Sequence, residues 1–177
     1  AGYPRRMHRM SLDRYLPDPA ATDALASAFA QVRPASAIVH LQGDLGAGKS
    51  SFARAFLRAL GVTGAIRSPT YTLVERYPLA DGREALHLDL YRIGDAGELE
   101  FLGIEPELAA LWLIEWPERG TGGALPAADL LIALAIEGEG RRLHATAQSP
   151  TGEAWLAALA AAEPRKAERK LTDVTDY

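Results

Sequence analysis

Eight consecutive residues, Gly43-Asp44-Leu45-Gly46-Ala47-Gly48-Lys49-Ser50, fit the pattern G-x-x-x-x-G-K-[ST] at every fixed position. With this composition, chance supplies on the order of 0.002 such matches. Glycines let backbone N–H groups turn inward around a phosphate, and the start of the following helix adds its positive dipole end. Lys49 is placed to reach β- and γ-phosphates, and the Ser50 hydroxyl to ligate Mg²⁺. The flanking sequence agrees. Ala37 to Leu41 (AIVHL) reads as a short buried strand. From Ser50 to Leu60 an amphipathic helix follows, with Phe52, Ala53, Phe56, Leu57 and Leu60 on one stripe. Strand, glycine loop and helix follow in this order, the context in which such a loop binds phosphate. A ligand-free helix-entry loop is the plainer alternative.

The rest of the chain supplies strands and helices for one domain. Asp18-Pro19 is a helix start, and Ala21, Leu25, Ala28, Phe29 and Val32 recur at helical spacing before Pro34. Tyr71 to Tyr77 reads as extended, and Asp81-Gly82 as a turn leading into Ala85 to Tyr91. Asp95 to Phe101 and Glu105 to Ala110 read as short helices, and Leu111 to Trp116 as a strand stopped by Pro117. Leu130 to Glu137 and Arg141 to Gln148 form a hairpin around Gly138-Glu139-Gly140, followed by a helix over Thr151 to Ala162. Three segments follow from this reading. Residues 1–15 are a basic N-terminal segment, 16–162 the nucleotide-binding domain, and 163–177 a polar, disordered tail.

Composition removes several function classes. The 177 residues carry a formal charge of −4 with a pI near 5.6, which argues against a chain that grips nucleic acid by itself. There is no cysteine, hence no disulfide scaffold, thiolate metal site or Cys nucleophile. No apolar run approaches a membrane span, and no apolar signal stretch follows the basic start, so a cytoplasmic protein is expected. The chain also lacks asparagine and cannot contain the N-K-x-D segment with which many GTP-binding proteins read guanine. ATP is the better match.

Phosphoryl chemistry needs carboxylates near the γ-phosphate, commonly at strand ends. Asp89 in LHLDL lies opposite three leucines and is a candidate for Mg²⁺, directly or through water. Glu115 closes the apolar run LWLIE, where a carboxylate is out of place unless paired or facing a ligand. The competing readings are a solvent-facing residue or Arg92 partner for Asp89, and a structural ion pair for Glu115. Thr70, after Ser68-Pro69, is a candidate switch threonine sensing the metal and γ-phosphate, or else a turn residue. Trp116 is placed to cover the nucleotide, unless it is core. The histidines at 8, 40, 87 and 144 show no ligand spacing and are read as structural or surface.

Several segments in fixed order, GDLGAGKSSFARAFLRALG, SPTYTLVERY, HLDLYRI, ELEFLGI and LIEWPERG, together resemble the TsaE (YjeE) family from about Leu16 to Ser149. The resemblance implies a P-loop NTPase fold of class α/β, with a mostly parallel central sheet extended by antiparallel strands and helices on both faces. It implies Mg²⁺-dependent ATP hydrolysis that supports formation of N6-threonylcarbamoyladenosine on tRNA together with TsaD and TsaB, the tRNA being met only through that complex. Carried onto these positions, Gly43, Asp44, Leu45, Gly46, Ala47, Gly48, Lys49, Ser50 and Ser51 surround the phosphates. Ser50, Glu115 and Asp89 serve the metal, Asp89 and Glu115 serve hydrolysis with Lys49, Thr70 is the switch residue, and Trp116 neighbours the nucleotide. Ser50-Ser51 stands where the family often has two threonines, and serine keeps the metal-binding hydroxyl. Two rivals share the loop: a small-molecule kinase, which needs an acceptor pocket and usually an arginine-rich lid, and a binding module that nucleotide gates without turnover. Arg141-Arg142 beside a hairpin turn is little for such a lid.

Overall fold

The computed structural model describes residues 10–120 and 125–163. Seven strands form one sheet: β1 (Ser11–Leu16), β2 (Ala37–Gln42), β3 (Val74–Pro78), β4 (Glu84–Asp89), β5 (Ala109–Glu115), β6 (Leu130–Glu137) and β7 (Gly140–Ala147). Their spatial order is β1-β7-β6-β2-β5-β4-β3. The middle four, β6-β2-β5-β4, run parallel, while β3 and the β1–β7 pair extend the sheet antiparallel on either side. This is the mostly parallel sheet with antiparallel extensions that the sequence led us to expect. All seven residues of β5 are buried, because β5 has parallel neighbours on both edges and cover on both faces.

Three helices, α1 (Pro19–Gln31), α2 (Lys49–Ala59) and α3 (Pro150–Ala162), share one core with the odd-numbered residues of β2, β4 and β5. Asp18 caps α1, its Oδ1 accepting from Ala21 N at 2.8 Å, a contact worth about 1 kcal/mol. Edge-on ring contacts join the helices: Phe29 to Phe52 at 5.9 Å, Phe29 to Trp155 at 6.0 Å and Phe56 to Trp155 at 6.1 Å between centroids. The Trp155 indole also donates to Phe29 O at 3.0 Å. On the opposite face, Leu86, Leu88, Trp112 and Ile114 are covered by short 3₁₀ segments, chiefly Ala96–Leu102. Helical segments therefore flank the sheet on both sides, the longer ones all on one.

Two local expectations change. Ser11–Leu16 is an edge strand paired along its length with β7, so the segment boundary placed at residue 16 falls inside β1. The extended stretch expected from Tyr71 begins only at Val74. Leu73 takes φ 66° and its N–H returns to Pro69 O at 3.0 Å, closing a turn there. Residues 1–9 and the tail from 164 to 177 lie outside the described residues. Among the described residues, no helix is long and apolar enough to cross a membrane.

Candidate functional site

The C-terminal ends of β2, β4 and β5 meet at one edge of the sheet, where open α/β sheets place their ligands. From β2 the chain enters the loop 43–48 and then α2. Gly43 has φ +144°, and a Cβ there would sit 2.3 Å from Leu134 O, so only glycine lets the loop pass this close to β6. Gly48 caps α2 in the left-handed region, at φ 103°. Together these positions curl the loop over the helix start.

Lys49, Ser50, Ser51, Thr70, Asp89, Glu115 and Trp116 line one open cleft of about 390 Å³ with Asp44, Leu45, Gly46 and Gly48. Of the residues singled out in the sequence, only Gly43 and Ala47 lie off its wall; Ala47 is buried beneath the loop. Residues far apart in the chain, such as Lys49, Thr70 and Glu115, are thereby brought to one opening.

Lys49 is 5% exposed, and among the described residues no carboxylate lies within ion-pair distance of it. Its ammonium turns back onto Gly43 O and, at 3.3 Å, Asp44 O, and it stands 4.1 Å from the centre of the Trp116 ring. Burial lowers its pKa, opposed by the charges of Glu115, Asp89, Glu118 and Asp44. A buried cation whose hydrogen bonds go only to carbonyls is matched to an anion entering the loop. Trp116 holds its position over Lys49 through a left-handed backbone, φ 56°, directly after β5. Tyr91 packs on Trp116 at 4.9 Å, and the Arg119 guanidinium lies 4.6 Å from Tyr91 and 5.5 Å from Trp116.

Glu115 is 2% exposed. The Ser50 hydroxyl donates to its carboxylate at 3.0 and 3.2 Å, so the two side chains suited to Mg²⁺ already face each other. Among the described residues no three His, Cys, Asp or Glu side chains are grouped to hold a metal. Two oxygen donors beside a phosphate loop suit Mg²⁺, which keeps several waters and takes other ligands from phosphates. Asp89 is directly opposite Glu115 in the β4–β5 register. Its Oδ1 accepts from Tyr91 N at 3.0 Å, and Arg92 is not its partner. Burial raises the Asp89 pKa. The Tyr91 N–H opposes this, the Glu115 charge adds to it, and His87 and Lys49 oppose it.

Thr70 sits in the turn between α2 and β3, its hydroxyl 2.7 Å from that of Ser68. The turn is fastened to the strand carrying Asp89 by Asp89 N donating to Leu73 O at 3.0 Å. Beyond that bond it is open: Tyr71 is 82% exposed, with the Arg92 guanidinium 4.8 Å from its ring.

Two site residues escaped the sequence reading. His87, there grouped with structural or surface histidines, is buried with Nε2 2.6 Å from Glu115 Oε2. Its position two residues before Asp89, on the same strand face, was the available signal. Arg141 donates to Gly46 O at 3.2 Å and lines the cleft beside the loop. It gets there because β7 runs antiparallel to β6 and begins at the sheet edge where β6 ends.

Residues 16–144 match the family described as Threonylcarbamoyl adenosine biosynthesis protein TsaE. The tRNA threonylcarbamoyladenosine biosynthesis protein TsaE of Haemophilus influenzae is 38% identical over 156 residues, covering 84% of this chain and 98% of that protein. Its namesake from Synechocystis is 42% identical over 120 residues, 64% of this chain and 74% of that one. The crystal structure of Bacillus subtilis YdiB superposes with a TM-score of 0.69 at 26% identity, covering 86% of this chain and 96% of its own. With the family's sequence pattern spanning the loop, both strand-end carboxylates and the β6–β7 hairpin, this chain belongs to the TsaE family.

Proposed function

We propose that this chain is the ATP-hydrolysing subunit of a tRNA threonylcarbamoyladenosine biosynthesis system, working in the cytoplasm with TsaB and TsaD. The observation that supports it most is the meeting of Lys49, Ser50, Asp89 and Glu115 at one cleft over the glycine loop. In this reading, residues 11–162 act as one nucleotide-binding domain. The loop amides and Lys49 take the β- and γ-phosphates, displacing the ammonium from Gly43 O and Asp44 O. The nucleoside end lies in the adjoining pocket of about 160 Å³ under Leu16, Asp18, Thr22 and Leu134, which shares Gly48, Ser51 and Arg141 with the phosphate cleft.

Ser50 and Glu115 would hold Mg²⁺, which would supply positive charge to the phosphates as they react. Asp89 faces the cleft from β4 and holds the attacking water, accepting its proton as the water oxygen bonds to the γ-phosphorus. The bond from that phosphorus to the β–γ bridging oxygen breaks, and ADP and inorganic phosphate result. The raised pKa of Asp89 suits a proton acceptor, and Trp116 covers the phosphates on the side of Lys49.

The test is phosphate release from the purified chain, then with TsaB and TsaD added, and in Glu115→Gln. Glu115→Gln is expected to fold and to bind Mg·ATP more weakly or hydrolyse it more slowly, by about 10²–10⁴-fold in turnover where Glu115 also orients the attacking water. Wild-type turnover in that variant at saturating Mg²⁺ would return Glu115 to a structural ion pair. Unchanged tRNA modification when this chain is omitted from a reconstituted mixture would refute the wider reading.

A further inference from the structure

We propose that His87 is a positioning residue for the metal site: it fixes the Glu115 carboxylate so that Oε1 is presented to Mg²⁺ beside Ser50. The proposal rests on the Mg·ATP reading above. Its ground is the geometry of β4 against β5. His87 stands opposite Leu113, and Asp89 opposite Glu115, with all four side chains on the face that carries α2. His87 therefore reaches Glu115 diagonally, from one step deeper in the sheet. Its Nε2 is 2.6 Å from Glu115 Oε2. An ionised carboxylate can only accept, so the ring carries its hydrogen on Nε2 and donates it.

The other ring nitrogen shows why packing alone is a poor account of this residue. His87 is 2% exposed, and Nδ1 has no hydrogen-bond partner among the described residues. An unsatisfied buried polar atom costs on the order of 1–3 kcal/mol, and a leucine, as at positions 86, 88 and 90, would avoid it. What histidine supplies in return is one donor aimed at one oxygen of Glu115. The division is asymmetric. Oε2 is held by His87 at 2.6 Å and also lies 3.2 Å from the Ser50 hydroxyl, whereas Oε1 meets that hydroxyl alone, at 3.0 Å. Without the imidazole the carboxylate can rotate, and Oε1 is no longer held in place beside Ser50, the group that must share the metal. Outer partners of this kind typically contribute 10–100-fold to metal affinity.

The experiment titrates Mg²⁺ into the full chain with a non-hydrolysable ATP analogue, following binding by calorimetry, with a parallel analogue titration in EDTA. His87→Met is expected to keep the EDTA affinity and raise the Mg²⁺ half-saturation by about 10–100-fold. His87→Gln, whose amide nitrogen can occupy the place of Nε2, is expected to recover most of that loss. If the Met variant does not fold, His87→Asn replaces it, since its amide ends short of Glu115. A folded variant lacking the donor with an unmoved Mg²⁺ response overturns the proposal, as does a Gln variant no better than Met. If the wild-type chain itself binds no analogue, the ATP reading fails and takes this inference with it; normal binding with an unmoved metal response refutes His87 alone.

Discussion

Replacing Lys49 with methionine should separate the stability of the empty protein from its response to nucleotide. The ammonium is buried, turned onto two carbonyls and lowered in pKa by that burial. Methionine of similar length removes the buried charge and leaves Gly43 O and Asp44 O without that donor. These effects oppose each other, so the empty variant should stay within about 1 kcal/mol of wild type. Nucleotide binding is different. A cation about 4 Å from a phosphate oxygen in a partly buried site contributes roughly 4 kcal/mol, or about 10³-fold in affinity. At nucleotide near 100 times the wild-type Kd, ligand stabilises wild type by about 2.7 kcal/mol. For a domain of this size that raises Tm by about 5–10 °C. The variant, then at about a tenth of its own Kd by the same relation, should show no measurable shift. Thermal denaturation with and without ATP and Mg²⁺ checks both halves. A variant that keeps the wild-type ligand shift would refute the role given to Lys49; one that is unfolded when empty would refute the view of it as a charge awaiting an anion.

Gly43→Ala should destabilise by at least about 2 kcal/mol, from a left-handed φ of +144° and a Cβ placed 2.3 Å from Leu134 O. Denaturant unfolding reads it, and wild-type stability would show that the loop yields more easily than its packing implies. His40 on β2 has its pKa lowered below 6.5 by burial, against the pull of Pro126 O and Glu118. The unfolded chain therefore binds more protons than the folded one just below 6.5, and stability present above that value is lost as pH falls through the folded pKa. His40→Gln should flatten that acid slope in denaturation curves taken from neutral to mildly acid pH; an unchanged slope would assign it to another group.

What could be read in the sequence was what neighbours along the chain decide. The glycine loop, the Asp18 cap and the carboxylates closing LHLD and LWLIE are local patterns, and the structure sets them at strand ends and a helix start as their residue types require. The pairing of His87 with Glu115 is a diagonal contact between strands separated by a crossover, and HLDLY places the histidine on the face of Asp89 without naming its partner. Arg141 reaches the loop only because the hairpin returns β7 to the sheet edge of β6. Strand β1 escaped because it is an edge strand with alternately exposed polar residues, whose partner is more than a hundred residues away in the chain. The turn at Leu73 defeats pattern reading for another reason: leucine at φ 66° runs against its own preference and is held by hydrogen bonds to Pro69 and Asp89.

The cleft has two unlike walls, and the difference bears on how turnover is controlled. On one wall Lys49 and Glu115, with His87 beneath Glu115, are buried and hydrogen-bonded. The other is built from the turn at 68–73 and from Arg92, where Tyr71 is largely in water and the guanidinium rests on its ring. Transfer of a phosphoryl group to water gains most from positive charge placed at the γ-phosphate and a held water. Lys49 serves the first in part. Arg92 lines the same cleft with no carboxylate among the described residues bound to it, yet a stacking contact on an exposed ring does little to hold it in one place. A protein surface that covers Tyr71 would order the turn, bring Thr70 to a fixed position and free Arg92 to face the phosphates. Under the proposed ATP reading, binding falls to the buried wall and the rate to the exposed one, so phosphate release should be slow from the chain alone and rise when TsaB and TsaD are added. Fast release unchanged by them would refute this division.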